Sequence, residues 1–172
     1  MARDKFIQRG AASLAVDTTG PTRVFQFVLL PKLTMLAFSA ALEPLRIANQ
    51  LSQKALYEWY TVTPDGSPVT CSNGVTITPD MAMGDVGKGV TVFICAGVEP
   101  QKSVSSDVTA WIRRHARMGV RMGGICTGAF ALAQAGIIGK NRLLCIGKTN
   151  PGSAKAILIW CPPKTCMKSR TD

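Results

Sequence analysis

The sequence is poor in the residues that build metal centres and membrane spans. Its 172 residues include a single histidine, His115, and its six cysteines include no C-x-x-C pair. Cys161 and Cys166 have four residues between them, two of which are prolines, and this is at best a weak metal pattern. No apolar run reaches the roughly 18 residues of a membrane-spanning helix. We therefore predict no metal, no cofactor and no membrane association.

An export signal is also lacking. The short apolar run 11–16 is closed by Asp17 without a cleavage pattern, so residues 1–22 are predicted to form a flexible leader. This favours a cytoplasmic protein with reduced thiols. The hydrophobic content of 47% and the charged content of 17% argue against a disordered chain, and the length suits one globular domain.

Acidic residues are scarce, with 10 against 20 basic ones, which gives a net charge of +10. Such a surplus would suit a nucleic-acid-binding protein. From Asn141 onward, however, six basic residues stand against Asp172 alone, so a net +5 lies in the tail. Neither interleaved aromatic and basic residues nor a helix-turn-helix pattern accompanies it. Direct DNA binding by this chain is therefore an alternative and not the leading hypothesis.

The sequence does contain an alternation of strand-like and helix-like segments. Runs rich in β-branched and aromatic residues predict strands over 23–30, 58–62, 89–95 and 120–125. Helical spacing of apolar residues predicts helices over 33–51, 106–118 and 127–135. A turn at 72–74 predicts a hairpin between 69–71 and 75–77. Pro44 predicts either a late start or a kink in the first helix.

This order predicts an α/β layered fold with a mainly parallel sheet. In such sheets the ligand site lies at the carboxyl ends of the strands. Gly97 and Cys126 each come just after a predicted strand, so both are expected at that edge.

Gly124-Ile125-Cys126-Thr127-Gly128 matches the G-x-C-x-G pattern of a nucleophile elbow. The glycines on both sides let the chain turn sharply from a strand into a helix. Cys126 then lies over a helix start, where unpaired backbone N–H groups favour a thiolate. A small buried cysteine on a packed turn explains these five residues equally well.

Four segments carry a family resemblance: 27–49 (FVLLPKLTMLAFSAALEPLRIAN), 72–74 (SNG), 91–97 (TVFICAG) and 123–135 (GGICTGAFALAQA). Over residues 23–142 the chain resembles the amino-terminal PfpI-like domain of GlxA-type regulators in the AraC family, a branch of the class I glutamine amidotransferase superfamily. The resemblance implies a flavodoxin-like three-layer α/β sandwich. It also implies a small-molecule ligand, a homodimer as one candidate assembly, and DNA binding only through a carboxyl-terminal pair of helix-turn-helix motifs.

By the same resemblance Cys126 takes the nucleophile position, and the N–H groups around Gly97 and Thr127 take the oxyanion-hole position. Gly97, Cys126, Thr127 and Gly128 are therefore the predicted ligand-binding residues. The catalytic partners depart from the family pattern. Thr127 stands where many PfpI-type enzymes have a histidine, and Ala37 falls on the acidic position.

Two further side chains are candidates for the missing partners. Glu43 comes a turn or more after the acidic position and is expected to face elsewhere. His115 lies on the helix before the elbow strand, where a packed or solvated role is favoured over catalysis because a base must reach the thiol.

The chain changes character after about Arg142, where it becomes rich in lysine, proline and cysteine and the βα alternation stops. Reading the third base of each codon with the first two of the next permits a family-like continuation. In that frame the Met167–Lys168 junction must encode Glu and the Trp160–Cys161 junction Val. We expect residues 143–172 to be an out-of-frame, disordered tail, which would leave 23–142 as a partial domain with an incomplete sheet. A divergent natural terminus is the alternative.

Together these patterns predict the ligand-sensing domain of a GlxA-type AraC-family regulator that lacks its helix-turn-helix domain. A PfpI-like cysteine-dependent hydrolase, a glyoxalase or deglycase-type enzyme and a redox-sensing thiol are the alternatives. Because acid and base are missing at the expected positions, a binding site is favoured over an enzyme.

Overall fold

The computed structural model of the chain describes residues 20–138. The predicted leader up to residue 19, the end of the predicted domain at 139–142 and the predicted tail 143–172 lie outside the described residues. The described elements are, in chain order, β1 (Arg23–Leu29), α1 (Met35–Ser52), β2 (Tyr57–Thr63), β3 (Val69–Thr70), β4 (Thr76–Ile77), β5 (Met81–Ala82), β6 (Thr91–Cys95), α2 (Pro100–Ser103), α3 (Ser106–Arg117), β7 (Arg121–Ile125) and α4 (Gly128–Gln134).

A five-stranded sheet with the order β5-β2-β1-β6-β7 forms the middle layer. All four pairings in this sheet are parallel, and Phe27 of the central strand β1 lies opposite Thr61 on one side and Phe93 on the other. β3 and β4 form a separate antiparallel pair, as the turn at 72–74 predicts. The predicted α/β fold with a mainly parallel sheet is confirmed.

Alternate residues of the central strands face opposite layers, because the side-chain period of a strand is two. Val28 of β1 and Ile94 of β6 pack with α3 and α4 in one apolar cluster. Phe27 and Leu29 pack with α1 in a second cluster. Burying one such side chain contributes about 1.5–3 kcal/mol to the stability of the fold. Because the strands bury side chains on both faces of the sheet, successive residues in them are apolar.

α1 contains Pro44 in its interior and still begins at Met35, so of the two predicted alternatives the late start is wrong and the kink stays a prediction. A proline deprives the carbonyl group four residues earlier of its helical donor. Here that residue is Ala40, which is exposed, and water can donate to its carbonyl oxygen instead. Among the helices of residues 20–138, none is long and apolar enough to cross a membrane.

Two short elements were not predicted from the sequence. β5 has two residues, and the Asp80 carboxylate anchors it by accepting from the Thr61 N–H and hydroxyl, both at 2.8 Å. α2 has four residues and begins at Pro100, a residue type that is favoured at the first position of a helix. Elements this short carry no periodic pattern, which explains why sequence analysis missed them.

Candidate functional site

Two loops and the elbow meet at the carboxyl edge of the sheet. The Val98 N–H, after β6, donates to the carbonyl oxygen of Lys32, after β1, at 3.0 Å. The Thr127 hydroxyl, after β7, donates to the carbonyl oxygen of Gly97 at 2.6 Å. The structure therefore brings the predicted residues around Gly97 and Cys126 to one edge, although they are far apart in the sequence.

The backbone of Cys126 lies in the left-handed region, with a φ of +54°. For a residue other than glycine this conformation costs of order 1–3 kcal/mol, and strained turns of this kind present nucleophiles at the top of α/β sheets. A Cβ atom on Gly128 would lie 1.8 Å from the Ile94 carbonyl oxygen, and one on Gly97 would lie 2.2 Å from that of Lys32. These two predicted site residues are glycines because neighbouring backbone passes too close for any side chain.

The three cysteines within residues 20–138 differ in their access to solvent. Cys71 and Cys95 are buried, whereas Cys126 is only partly buried. Burial raises the pKa of the Cys95 thiol, and its electrostatic interaction with the neighbouring Cys126 raises it further. Burial also raises the pKa of the Cys71 thiol. Cys126 is therefore the most exposed of these three thiols.

A hydroxyl group contacts the Cys126 thiol, and backbone N–H groups of the same edge are available to a ligand. The Thr34 hydroxyl oxygen, at the start of α1, lies 3.6 Å from the sulfur atom. The N–H groups of Gly97 and Thr127, which are the predicted oxyanion-hole donors, form no hydrogen bond with another residue between 20 and 138. Backbone N–H groups in such positions can bind a carbonyl oxygen or an anion.

Glu99 forms an ion-pair cluster beside the site. Its carboxylate accepts from the Lys102 ammonium at 2.5 Å and from the Lys32 ammonium. The hydrogen bonds from Lys102 and Lys32 lower the pKa of Glu99 from its ordinary 4.5 to about 2. This cluster joins the loop after β1 to the loop after β6. Within residues 20–138, no three His, Cys, Asp or Glu side chains are grouped closely enough to hold a metal ion.

A cavity of about 610 Å³ opens next to this edge, between the loop after β1 and the β3–β4 hairpin. Lys32, Cys71, Ser72 and Val98 are among the residues that line it. Cys126 and the other three predicted ligand-binding residues do not line it. The cavity therefore adjoins the elbow through Lys32 and Val98 and does not contain the thiol.

The other candidate acid and base partners of the Cys126 thiol lie away from the elbow or have no ionisable side chain. Ala37 has no ionisable group, and the Glu43 carboxylate accepts from Arg46 on the exposed side of α1 at 2.7 Å. His115 is fully buried near the end of α3, and its Nδ1 atom lies 2.9 Å from the Trp111 carbonyl oxygen. α3 leads into the start of β7 and Cys126 follows its end, so the length of that strand separates His115 from the thiol.

Three site features escaped the sequence analysis: the Thr34 hydroxyl, the Lys32–Glu99 ion pair and the strain at Lys32 and Glu99, whose φ values are +60° and +53°. Each residue follows the end of a strand by a few positions. That placement was the available signal, because loops at the carboxyl edge of a parallel sheet supply the ligand contacts.

Comparison with known proteins supports the family resemblance. The sequence pattern of the DJ-1/PfpI family matches residues 38–155. The HTH-type transcriptional regulator GbdR of Pseudomonas aeruginosa is 42% identical over 112 residues, which cover 65% of this chain and 30% of GbdR. The HTH-type transcriptional regulator GlxA of Rhizobium meliloti is 35% identical over 113 residues, which cover 65% of this chain and 35% of GlxA.

A crystal structure of an AraC family transcriptional regulator from Pseudomonas putida has the same fold. Its TM-score is 0.59 at 24% identity, over 68% of this chain and 72% of that one. The chain spans about a third of the length of the curated regulators that it matches. The resemblance to PfpI-like domains of GlxA-type regulators is confirmed, and the chain belongs to the DJ-1/PfpI family.

Proposed function

We propose that this chain is a small-molecule-sensing domain of a GlxA-type, AraC-family transcriptional regulator. The observation that carries the proposal is the meeting of Gly97, Cys126 and Thr127 at one edge of the sheet, held by the hydrogen bond from the Thr127 hydroxyl to the Gly97 carbonyl oxygen. The similarity to GbdR and GlxA supports a regulatory role. Because these relatives are about three times as long as the matched segment, DNA binding is proposed for another part of a longer protein.

The ligand is proposed to place a carbonyl or carboxylate oxygen at the N–H groups of Gly97 and Thr127. Its remainder would contact the Cys126 thiol and extend toward the cavity beside Lys32 and Val98. The strained elbow holds the thiol at the sheet edge before the ligand arrives, which reduces the ordering cost of binding.

The binding test uses the full chain labelled with ¹⁵N and a panel of small carboxylates, amides and amines. We expect one class of compound to shift the amide resonances of Gly97 and Thr127 in a saturable way. A Cys126→Ser variant should keep this binding within a few fold, because it retains a small polar side chain. Compounds that bind without moving these two amides would contradict the proposal.

A cysteine-dependent enzyme is the second candidate, and the left-handed backbone of Cys126 favours it. The test follows p-nitrophenyl acetate hydrolysis and methylglyoxal loss with the wild-type chain and with Cys126→Ala. A turnover that falls at least a hundredfold in the variant would support an enzyme. Equal background rates for the two proteins would support a binding role.

Direct DNA binding by this chain is the third candidate, suggested by its net charge of +10. We expect any DNA affinity to be independent of base sequence, to fall steeply with salt and to disappear when residues 141–172 are deleted. Affinity that survives the deletion and distinguishes between DNA sequences would favour DNA binding by the domain itself.

A further inference from the structure

A second cavity, of about 240 Å³, lies under α1 and extends from the amino end of the sheet to Ile125, the last residue of β7. Phe25 and Phe93 of the sheet and Leu45 of α1 are among its apolar walls, and Arg23 and Arg121 are its exposed members. Its volume exceeds the roughly 150 Å³ of an engineered apolar cavity that binds benzene, so it can hold one aromatic ring.

The apolar wall is a continuous aromatic surface. The Phe93 ring lies between two others, with centroid distances of 5.9 Å to Phe25 and 5.7 Å to Phe27, and both pairs are stacked. Gly123 on the next strand makes room for that ring, because a Cβ atom there would lie 2.7 Å from it. This wall is therefore already in place for a flat apolar group.

The charged side chains that line the cavity within residues 20–138 are both positive. Arg23 and Arg121 begin β1 and β7, the two strands that flank β6, and no acidic residue in the described part of the chain lines the cavity. One terminal nitrogen of Arg121 donates to the Gly89 carbonyl oxygen at 3.2 Å, which orients the guanidinium and leaves its other N–H groups for a ligand. Arginine binds carboxylates through two parallel hydrogen bonds.

We propose that this cavity binds a small aromatic carboxylate, with its ring against the phenylalanines and its carboxylate between Arg23 and Arg121. Cys126, Thr127 and Gly97 do not line the cavity, whereas Ile125, the residue before Cys126, does. The cavity therefore gives the domain a second ligand site, which adjoins the proposed sensing site through Ile125.

The test titrates the full chain with benzoate and, as a neutral analogue of the same shape, benzamide. We expect saturable benzoate binding that shifts the amide resonances of Phe93 and Arg121 and leaves those of Gly97 and Thr127 unchanged. Benzamide should bind at least tenfold more weakly, because charge-assisted hydrogen bonds contribute more than neutral ones. Equal binding of the two compounds, or shifts confined to the Cys126 edge, would overturn the proposal.

Variants separate the two halves of the cavity. Arg121→Gln should weaken benzoate binding about tenfold or more, whereas Arg117→Gln, which removes an exposed charge from α3, should leave it unchanged. Ala41→Leu places a larger side chain in the cavity and should abolish binding with both arginines intact. If a variant fails to fold, the comparison of benzoate with benzamide on the wild-type chain still tests the proposal.

A dimer that excludes benzoate and dissociates on Ala41→Leu would show that a second copy covers this face, and would overturn the proposal.

Discussion

At the scale of single residues, the carboxyl edge of the sheet is built on close backbone approaches and strained conformations. Cys126, Lys32 and Glu99 all have φ values between +53° and +60°. Each follows a strand, so the strain is concentrated where the fold presents its candidate site. The packed core below can hold such conformations because it stabilises the flanking strands.

Gly128→Ala should destabilise the fold strongly, because its Cβ atom would lie 1.8 Å from the Ile94 carbonyl oxygen and the backbone must move. We expect a loss of about 3 kcal/mol or more in the free energy of unfolding, at the upper end of overpacking effects. Urea denaturation followed by circular dichroism measures it. Gly84→Ala is the matched control, since no atom of residues 20–138 beyond its two chain neighbours lies within 4 Å of its added Cβ atom. Equal midpoints for the two variants would show that the elbow tolerates a side chain.

The Glu99 cluster should make stability depend on pH in the acid range. The pKa of Glu99 is about 2 in the folded chain and 4.5 ordinarily. The folded chain therefore stabilises the ionised carboxylate more than the unfolded chain does. The stabilisation is therefore complete above about pH 4.5 and is lost as the pH falls through about 2. Urea midpoints at pH 7, 4 and 2.5 should separate wild type from Glu99→Gln, with the difference shrinking at pH 2.5.

Glu43→Gln, on the exposed side of α1, is the matched control for Glu99 because it also removes a carboxylate that pairs with a basic residue. A Glu99→Gln difference that stays constant from pH 7 to pH 2.5 would contradict the role of its charge.

At the scale of elements, α3 is the helix whose start is stabilised by a side-chain cap. The Ser105 hydroxyl oxygen accepts from the Val108 N–H at 3.2 Å, and Asp107 adds a negative charge to the first turn. α1 and α4 begin without a side-chain cap, and α1 also contains Pro44. Their stability therefore depends more on packing against the sheet than on local signals.

Ser105→Ala should cost about 1 kcal/mol of folding free energy, the usual value for the loss of a helix cap. Ser106→Ala, one residue later, is the matched control, because its exposed hydroxyl donates to the neighbouring Asp107 at 3.4 Å and to no other residue between 20 and 138. Thermal or urea denaturation of both variants measures the difference. A cost for Ser106→Ala as large as that for Ser105→Ala would contradict the assignment of the cap.

At the scale of the whole molecule, charge and family similarity do not follow the same boundaries. A net +5 of the +10 lies after residue 140, whereas the DJ-1/PfpI family match continues to residue 155. The predicted boundary at about Arg142 therefore stays a prediction. The proposal that residues 143–172 are read out of frame rests on composition and on the permitted codons.

Sequencing the gene from codon 142 onward tests that proposal. We expect the adjacent frame to continue with family-like sequence at the junctions where the protein sequence permits more than one residue. The gene upstream of codon 142 is the internal control. There, the same adjacent frame should encode no family-like sequence. An early stop codon or unrelated sequence in the adjacent frame would favour a natural terminus.

The main elements could be predicted from the sequence because their signals are local. Apolar runs predicted the four principal strands, helical spacing predicted α1, α3 and α4, and the glycines around Cys126 predicted the elbow. The order of these elements then indicated the parallel sheet, since strands that alternate with helices pair in that way. β5, α2 and the uninterrupted course of α1 through Pro44 had no comparable local signal.

The fold class, the family and the identity of the thiol at the strand end follow from local sequence patterns. The tertiary structure sets which distant groups meet there: the Thr34 hydroxyl beside Cys126, the Thr127–Gly97 hydrogen bond, and the ion pair between Lys32 and Glu99. It also decided that His115 is buried at the other end of β7. The reason is physical: periodicity and turn chemistry act over a few residues, whereas a site depends on the distances between loops, which sheet order and packing set.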